Sequence, residues 1–290
     1  MSRVAVVTDT TQYLPREVIA RHGLHLVSLY VNWDGRTERE ADMPDFDAFY
    51  DHMRTAAQLP STSQPSVGDF LAVYEPLLED GQDVLSIHLS GGISGTVGAA
   101  EQARDQLLER GIAAERITVI DSETACAGHG FMAIAAANAA QGGADLAGAA
   151  QAAHELRRSL KLWFAVDTLE FLRRGGRIGG AQAWIGSALK IKPILTIERE
   201  ITPIERVRTA GRAFERLVDY LQERRDSGAD VFFVQHIQAP EVVERLAQRG
   251  AEIYGRPAEF VSEIGPVIGA HVGPGLVGVT GLQSKLLGPV

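Results

Sequence analysis

The class of the fold follows from residues 4–31, which read VAVVTDTTQYLPREVIARHGLHLVSLYV. A β-branched run at Val4–Val7 precedes a helical stretch that Pro15 opens, and a second apolar run follows at Leu26–Val31. A strand, a helix and another strand in this order are typical of a parallel sheet. The stretch therefore predicts an α/β fold that begins with a βαβ unit.

The first half of the chain continues the same alternation. The Asp34-Gly35 pair predicts a tight hairpin between two short strands. The predicted strands end in polar side chains, among them Asp9, His88 and Asp121. Ligands of open parallel sheets bind at the carboxyl ends of the strands, so we expect functional groups there. Two further strands and three helices are predicted, at Asp83–His88, Ile117–Asp121, Gly95–Glu109, Phe131–Ala140 and Leu146–Leu160.

After about residue 160 the pattern changes to that of a mixed sheet. Ile194–Glu198 and Ile201–Val207 predict an antiparallel hairpin. We therefore predict a two-domain α/β protein, with a parallel-sheet N-terminal domain over residues 1–160 and a mixed-sheet C-terminal domain over residues 161–290. An interface between domains is a favoured place for a ligand. The other elements predicted in this half are strands at Leu162–Val166, Val231–Gln235, Ala258–Ile264 and Leu276–Thr280 and helices at Ala210–Arg225 and Pro240–Arg249.

Composition excludes several classes of protein. The 290 residues carry 28 Lys and Arg against 37 Asp and Glu, a formal charge of -9, so no nucleic-acid partner is expected. No apolar run reaches the ~20 residues of a membrane span, and the apolar run at the start is too short for a signal-peptide core. The single Cys126 cannot form an internal disulfide and is expected to pack as a small apolar group. We expect a cytoplasmic protein with no integral membrane segment.

One loop combines hydroxyl groups with two prolines. Residues 60–66 read PSTSQPS, and Ser66 is expected to cap the helix that follows. Thr62 and Ser63 lie too early in the chain to cap that helix. Their hydroxyls are therefore candidate hydrogen-bond donors to a ligand.

A second loop is rich in glycine and lies between a strand and a helix. Residues 90–96 read SGGISGT, and the backbone N–H groups there, those of Gly95 and Thr96 among them, favour an anion. The loop lacks the glycine and lysine patterns of nucleotide sites. Ser94 lies in a sequence close to a hydrolase nucleophile elbow, but Thr96 stands where the last glycine belongs. A cap on the helix that begins near Gly95 is the other role open to Ser94.

His271 lies in a third loop, residues 265–275, which read GPVIGAHVGPG. Glycines and prolines bracket the histidine, so we expect a turn rather than a helix face. The other histidines have no metal-ligand spacing with each other or with Cys126, so no metal site is predicted.

A positive patch is predicted around a glycine pair. Arg173, Arg174 and Arg177 surround Gly175-Gly176, and the glycines prevent a single solvated helix face. Such a patch suits a phosphate or an acidic partner. Arg206 and Arg208 near the end of a predicted strand are expected to extend it.

Together these segments resemble the DegV family of bacterial fatty-acid-binding proteins. The resemblance implies a two-domain α/β fold that buries one long-chain fatty acid between its domains. Related members are fatty-acid-binding subunits of bacterial fatty acid kinase, which present the carboxylate to a separate ATP-binding subunit that makes the acyl phosphate. The matching motifs run in order along essentially the whole chain, at Val6–Thr10, Ser61–Pro65, Leu89–Thr96, Asp167–Leu172, Gly175–Ile178, Lys192–Leu195, Val207–Thr209 and His271–Gly275.

The resemblance also implies roles for single residues. It places the threonine that binds the carboxylate at Thr62, the loop serine at Ser94 and the histidine at His271. Many members have a second serine after the first in the glycine-rich loop, whereas Gly91 follows Ser90 here. Any hydrogen bond of that second hydroxyl is therefore missing from this chain.

The basic residues that dock the kinase or stabilise the phosphate are implied to be Arg173 and Arg206 or Arg208. No catalytic residue, metal or cofactor of the chain's own is implied, and the bound fatty acid is the only ligand. Two other functions stay open: a lipid hydrolase or acyltransferase that uses Ser94 with His271 as base, and a lipid-loaded sensor that regulates a different partner.

Overall fold

The computed structural model of the chain describes residues 3–56, 58–185 and 191–288. In the first half, strands and helices alternate as the sequence predicts. The strands are β1 (Arg3–Asp9), β2 (His25–Val27), β3 (Tyr30–Trp33), β4 (Arg36–Arg39), β5 (Ser61–Ser63), β6 (Gln82–His88) and β7 (Ile117–Asp121). The helices are α1 (Arg16–His22), α2 (Asp47–Thr55), α3 (Val67–Glu79), α4 (Thr96–Glu109), α5 (Ala127–Gln141) and α6 (Leu146–Ser159).

Four of these strands form an all-parallel sheet in the order β2-β1-β6-β7. Both of its faces are covered, because Val7 packs with α3 and α4 while the adjacent Val6 packs with α5 and α6. Strands buried on both faces read as continuous apolar runs. The parallel sheet confirms the α/β class predicted for this half, and β1, β6 and β7 end at Asp9, His88 and Asp121 as expected.

The strand predicted over Leu26–Val31 is wrong in its extent. β2 ends at Val27, and the chain turns before β3 begins in a separate three-stranded sheet of order β4-β3-β5. The turn is held by Ser28, whose hydroxyl donates to Leu29 O and accepts from Ala41 N. A run of apolar residues does not reveal that its two ends belong to different sheets.

The small sheet carries one predicted feature and one predicted site residue. The hairpin across Asp34-Gly35 is confirmed, since β3 and β4 are antiparallel and both residues have left-handed φ angles, 50° and 71°. On its other side β3 pairs with β5, which places Thr62 opposite Val31.

The second half forms a six-stranded mixed sheet of order β10-β9-β8-β13-β11-β12, which confirms the predicted fold class. β9 and β10 form the predicted antiparallel hairpin. The strands are β8 (Leu162–Ala165), β9 (Lys192–Glu198), β10 (Glu200–Val207), β11 (Val231–His236), β12 (Val261–Glu263) and β13 (Val277–Leu282). The helices are α7 (Glu170–Arg174), α8 (Ala210–Asp226), α9 (Pro240–Tyr254) and α10 (Pro266–Val272).

One strand of the second half is shorter than the sequence predicts. The prediction spans Ala258–Ile264, but β12 pairs with β11 over three residues only. As the edge strand it has a single neighbour to pair with, and Glu259 is bonded through its N–H to Phe232 O before the ladder starts.

The two halves meet through an apolar core. Helices α8 and α9 cover one face of the six-stranded sheet, and the other face packs against the first half, where Leu29 and Leu89 lie in one cluster with Phe164 and Leu195. We propose the division between residues 160 and 161 as the domain boundary, because β8 begins the second sheet directly after it. Within the described residues, no helix combines the length and the apolar composition that crossing a membrane requires.

Candidate functional site

A cavity of about 360 Å³ lies between the two halves. Its wall is mostly apolar, with Leu89 from the first half and Phe164, Ile197 and Leu276 from the second. Cavities of this size and character are typical of small-molecule sites. A few polar side chains also line it, namely Thr62, Ser63, Gln64, Ser94, Arg177, Gln235, His271 and Thr280.

Thr62 lies on β5, at the edge of the cavity. Ser61 and Ser63 are exposed, whereas Thr62 between them is half-buried, as the two-residue period of a strand requires. The Thr62 hydroxyl lies 2.7 Å from His271 Nε2. This contact joins residues from opposite halves of the molecule at the edge of the cavity.

His271 lies on a helix, so the prediction that it lies in a turn is wrong. Pro266 occupies the first turn of α10, where a proline is favoured because its missing N–H has no partner inside the helix. Gly273, with a φ of 79°, ends the helix directly after the last turn. The glycines and prolines that suggested a loop therefore mark the two ends of a seven-residue helix.

The imidazole of His271 is neutral at pH 7. Burial, and secondarily the positive charge of Arg177, lower its pKa to about 4. Its Nδ1 is buried without a hydrogen-bond partner, and a Cβ on Gly175 would stand 2.5 Å from that nitrogen. A neutral ring carries one N–H. If that N–H is on Nε2 and is donated to Thr62, the threonine hydroxyl is free to donate to a ligand.

Ser94 lies in the glycine-rich loop between β6 and α4. Its hydroxyl is 2.9 Å from Thr96 Oγ1 and accepts from Thr96 N at 3.3 Å, so it also holds the start of the helix. The loop is close to β5, because a Cβ on Gly95 would collide with the side chain of Gln64. Gln64 is two residues from Thr62, so this contact brings the glycine-rich loop and Thr62 to the same part of the cavity.

The base of that loop is fixed by a buried carboxylate. Asp9 Oδ2 accepts from Leu89 N at 3.0 Å and lies 3.1 Å from His88 Nδ1. Burial opposes ionisation of Asp9, but His129 and His88 beside it hold its pKa well below the ordinary value. His88 is therefore a buried partner of Asp9 and does not line the cavity in the described structure.

Arg177 lines the cavity, whereas the sequence predicts it only as part of the positive patch with Arg173 and Arg174. It is exposed, and its guanidinium donates to Ile93 O at 3.2 Å and to Gly175 O at 2.7 Å. These bonds hold the cation beside the loop of Ser94, and its charge acts on His271. The cavity thus has a polar region to which both halves contribute. Its residues are Thr62, Ser94, Arg177 and His271.

The three arginines proposed to contact a partner lie elsewhere, and none of them lines the cavity in the described residues. Arg173 is exposed and pairs with Glu170 of its own helix through Nε at 2.9 Å. Arg206 lies over the ring of Trp184 at 5.4 Å, and Arg208 is exposed just after β10. Among the described residues, no group of three or more His, Cys, Asp or Glu is arranged to hold a metal.

A family model described as "Uncharacterised protein, DegV family" matches residues 3–283. The chain belongs to the DegV family. Protein DegV of Bacillus subtilis (strain 168) is 36% identical to it over 279 residues, 95% of this chain and 98% of that protein.

Solved structures of this family have the same fold. A fatty-acid-binding DegV family protein from Thermus thermophilus has a TM-score of 0.87 at 36% identity, with 97% of this chain and 99% of that chain covered. DegV of Bacillus subtilis, described as a fatty acid binding protein, has a TM-score of 0.86 at 35% identity, with 98% and 100% covered. The resemblance seen in the sequence motifs is confirmed.

In this DegV-family chain, the structure brings Thr62, Ser94 and His271 to one cavity from β5, the glycine-rich loop and α10. Sequence reasoning missed Arg177 and Gln64 as lining residues. The available signal in the sequence was the Gly175-Gly176 pair directly before Arg177, because glycine allows a close approach of the backbone to another group. Here Gly175 approaches His271.

Proposed function

We propose that this protein binds one long-chain fatty acid in the cavity and presents its carboxylate to an ATP-dependent kinase. The observation that carries the proposal is the 2.7 Å contact of Thr62 and His271 at the polar region of an apolar cavity of about 360 Å³. The fatty-acid-binding relatives of the same fold support the ligand class.

Recognition of the head group needs several donors, because a buried carboxylate is costly without them. The hydroxyls of Thr62 and Ser94 and the loop backbone at Gly95 and Thr96 supply them in this proposal. The neutral imidazole of His271 donates its N–H to Thr62 and so orients the threonine hydroxyl toward the carboxylate. A hydrogen bond to a charged group contributes about 1.5–3 kcal/mol. Arg177 adds a positive charge at the same region, which balances the negative charge of the ligand.

The tail supplies most of the binding energy. A chain of ~16 carbons at about 0.8 kcal/mol per CH₂ gives a gross burial term of roughly 12 kcal/mol, partly offset by association and ordering costs. The apolar wall formed by Leu89, Phe164, Ile197 and Leu276 is suited to such a chain. No metal, nucleic acid or further cofactor enters this proposal.

The kinase part of the proposal rests on the position of the head group. A carboxylate held between the halves, near the exposed Arg177, is within reach of a separate ATP-binding subunit, and Arg173, Arg206 and Arg208 are the proposed docking residues. The chain itself is then a carrier in the cytoplasm and supplies no catalytic residue.

Two measurements test this function. Native mass spectrometry of the protein purified from its host should give an adduct with the mass of a long-chain fatty acid. Addition of a fatty acid kinase subunit and ATP should convert that lipid to its acyl phosphate. Absence of a lipid adduct, together with no binding of added fatty acids, would reject the carrier. Binding without phosphorylation by any such kinase would favour the sensor and reject the kinase partner.

The hydrolase alternative is less well supported. A nucleophilic serine needs a base within hydrogen-bond reach, but the Ser94 hydroxyl is bonded to Thr96 and His271 Nε2 is bonded to Thr62. Ser94→Ala separates the two functions. A carrier should lose affinity moderately, whereas a hydrolase requires an acyl-serine intermediate that mass spectrometry would detect in the unaltered protein.

A further inference from the structure

Helix α10 forms one wall of the cavity and is held from the other half of the molecule. It contributes Val267, Ile268, His271 and Val272 to the lining. The first N–H groups of a helix have no acceptor inside the helix. In α10, side chains of the first half accept two of them.

These side chains are Glu40 and Tyr13. Glu40 Oε1 accepts from Val267 N at 2.9 Å and from the Tyr13 hydroxyl at 2.8 Å, and that hydroxyl accepts from Ile268 N at 3.3 Å. Glu40 is 4% exposed, and its Oε2 has no hydrogen-bond partner. A buried carboxylate with one unpaired oxygen is costly. Helix capping alone therefore does not explain why a glutamate is buried here.

The fit between α10 and this carboxylate is close. A Cβ on Gly265 would stand 2.8 Å from Glu40 Oε1 and 2.7 Å from the ring of Tyr13, and a Cβ on Gly269 would collide with Tyr50. The Tyr50 hydroxyl also donates to Ile264 O at 2.7 Å. Glycines at both contact points therefore let α10 pack directly against Glu40, Tyr13 and Tyr50.

We propose that Glu40, with Tyr13, is a latch that positions α10 and thereby His271, and that ionisation of Glu40 opens this wall of the cavity. The inference rests on the proposed function only in its last step, where opening of the wall releases a fatty acid. In the closed state the carboxyl is out of water, and in the open state it is hydrated.

Glu40 changes its charge near neutral pH, whereas the neighbouring groups considered next, all among the described residues, do not. Burial raises its pKa to about 7, against the hydrogen bonds of Val267 and Tyr13 that lower it. Asp9, on β1, stays ionised because its pKa is lowered well below the ordinary value. Burial raises the pKa values of three neighbours, Tyr13, Tyr50 of α2 and Cys126 before α5, so these stay neutral, and His271 on α10 is neutral as well.

The direction of the pH dependence follows from the linkage between proton binding by Glu40 and opening of the wall. The closed state binds the Glu40 proton more tightly than the open state, so the closed state is favoured at low pH and is lost as pH rises through 7. With a pKa of about 7 when buried, and the ordinary glutamate value of 4.5 taken for the hydrated carboxyl, the expected open fraction rises about tenfold between pH 6 and 8.

Hydrogen exchange of the amides of Val267 and Ile268 in the lipid-free protein measures this opening. After correction for the intrinsic exchange rate, their protection should fall about tenfold from pH 6 to pH 8. Glu40→Gln keeps a neutral acceptor and should remove this dependence. A flat profile in the unaltered protein, or an unchanged slope in the variant, would overturn the latch.

Two further variants separate the latch from a general change in stability. Asp42 lies on the same turn but is exposed, so Asp42→Asn should keep the full pH dependence. Tyr13→Phe removes the acceptor of Ile268 N and also a hydrogen bond that lowers the pKa of Glu40. It should lower protection and make the fall between pH 6 and pH 8 at least as steep as in the unaltered protein. Should Glu40→Gln fail to fold, the protection of Val267 and Ile268 against pH in the unaltered protein and in Tyr13→Phe still tests the latch.

The release rate of a bound long-chain fatty acid, followed by transfer to phospholipid vesicles, tests the last step. It should rise up to about tenfold from pH 6 to 8 in the unaltered protein and stay flat in Glu40→Gln. If exchange follows this pattern but no fatty acid binds at any pH, the proposed function is rejected and the latch stands. If fatty acid binds and neither measurement depends on Glu40, the latch is rejected and the proposed function stands.

Discussion

Thr62→Val is the most direct test of the head-group site, because it removes the hydroxyl and changes the shape of the side chain little. The lost contact is the one at 2.7 Å to His271, together with the bond that the hydroxyl would donate to a carboxylate. One hydrogen bond to a charged group contributes about 1.5–3 kcal/mol. Since 1.4 kcal/mol is a tenfold change, we expect the dissociation constant for a long-chain fatty acid to rise by about 10- to 150-fold.

The assay is a titration of the lipid-free protein with a long-chain fatty acid at pH 7.5, with circular dichroism to verify the fold. Ser61→Ala is the matched control. Ser61 is the preceding residue on the same strand, is exposed, and is not among the described residues that line the cavity, so we expect a change below about twofold. Affinity of a folded Thr62→Val protein within about threefold of the unaltered protein would refute the assigned role of Thr62.

Two further predictions concern packing and charge. Gly269→Ala places a methyl group against Tyr50 and should lower Tm by several degrees. The control is Gly98→Ala in α4, where nothing lies within 4 Å of the new atom, and it should leave Tm unchanged or raise it. Equal Tm values for the two variants would contradict the described fit of α10. Arg177→Gln should weaken fatty-acid binding several-fold at low salt. Arg173→Gln, which loses its pair with Glu170, should leave the affinity unchanged. Titrations at two salt concentrations measure both effects, and equal effects would contradict a role of Arg177 in binding the carboxylate.

Local chemistry predicted much of the fold. Pro15 precedes α1 as expected, and Ser66 with Asp69 forms the capping box that begins α3. The left-handed preference of Asp34-Gly35 fixed one hairpin. In each case the residues that decide the structure are neighbours in the chain, so the pattern contains the necessary information.

One error arises where distant residues contribute, since the break after Val27 involves a bond between Ser28 and Ala41. The turn predicted at His271 is wrong for a local reason, because Pro266 and Gly273 mark the two ends of a helix rather than a loop. The polar region of the cavity was predictable only in part. Residue types indicated hydroxyls and an imidazole, but the position of Arg177 at the cavity depends on the path of the backbone after the Gly175-Gly176 pair.

The contact between Thr62 and His271 spans 209 positions of the sequence, and this separation has a consequence for biogenesis. Contacts between distant positions form slowly, because the intervening chain must first be ordered. A ribosome-bound chain that has completed the parallel sheet therefore exposes Thr62 and Ser94 without the imidazole that completes the pocket. Under the proposed function, a fatty acid therefore cannot act as a template for that early domain, and loading is confined to molecules whose synthesis has passed α10.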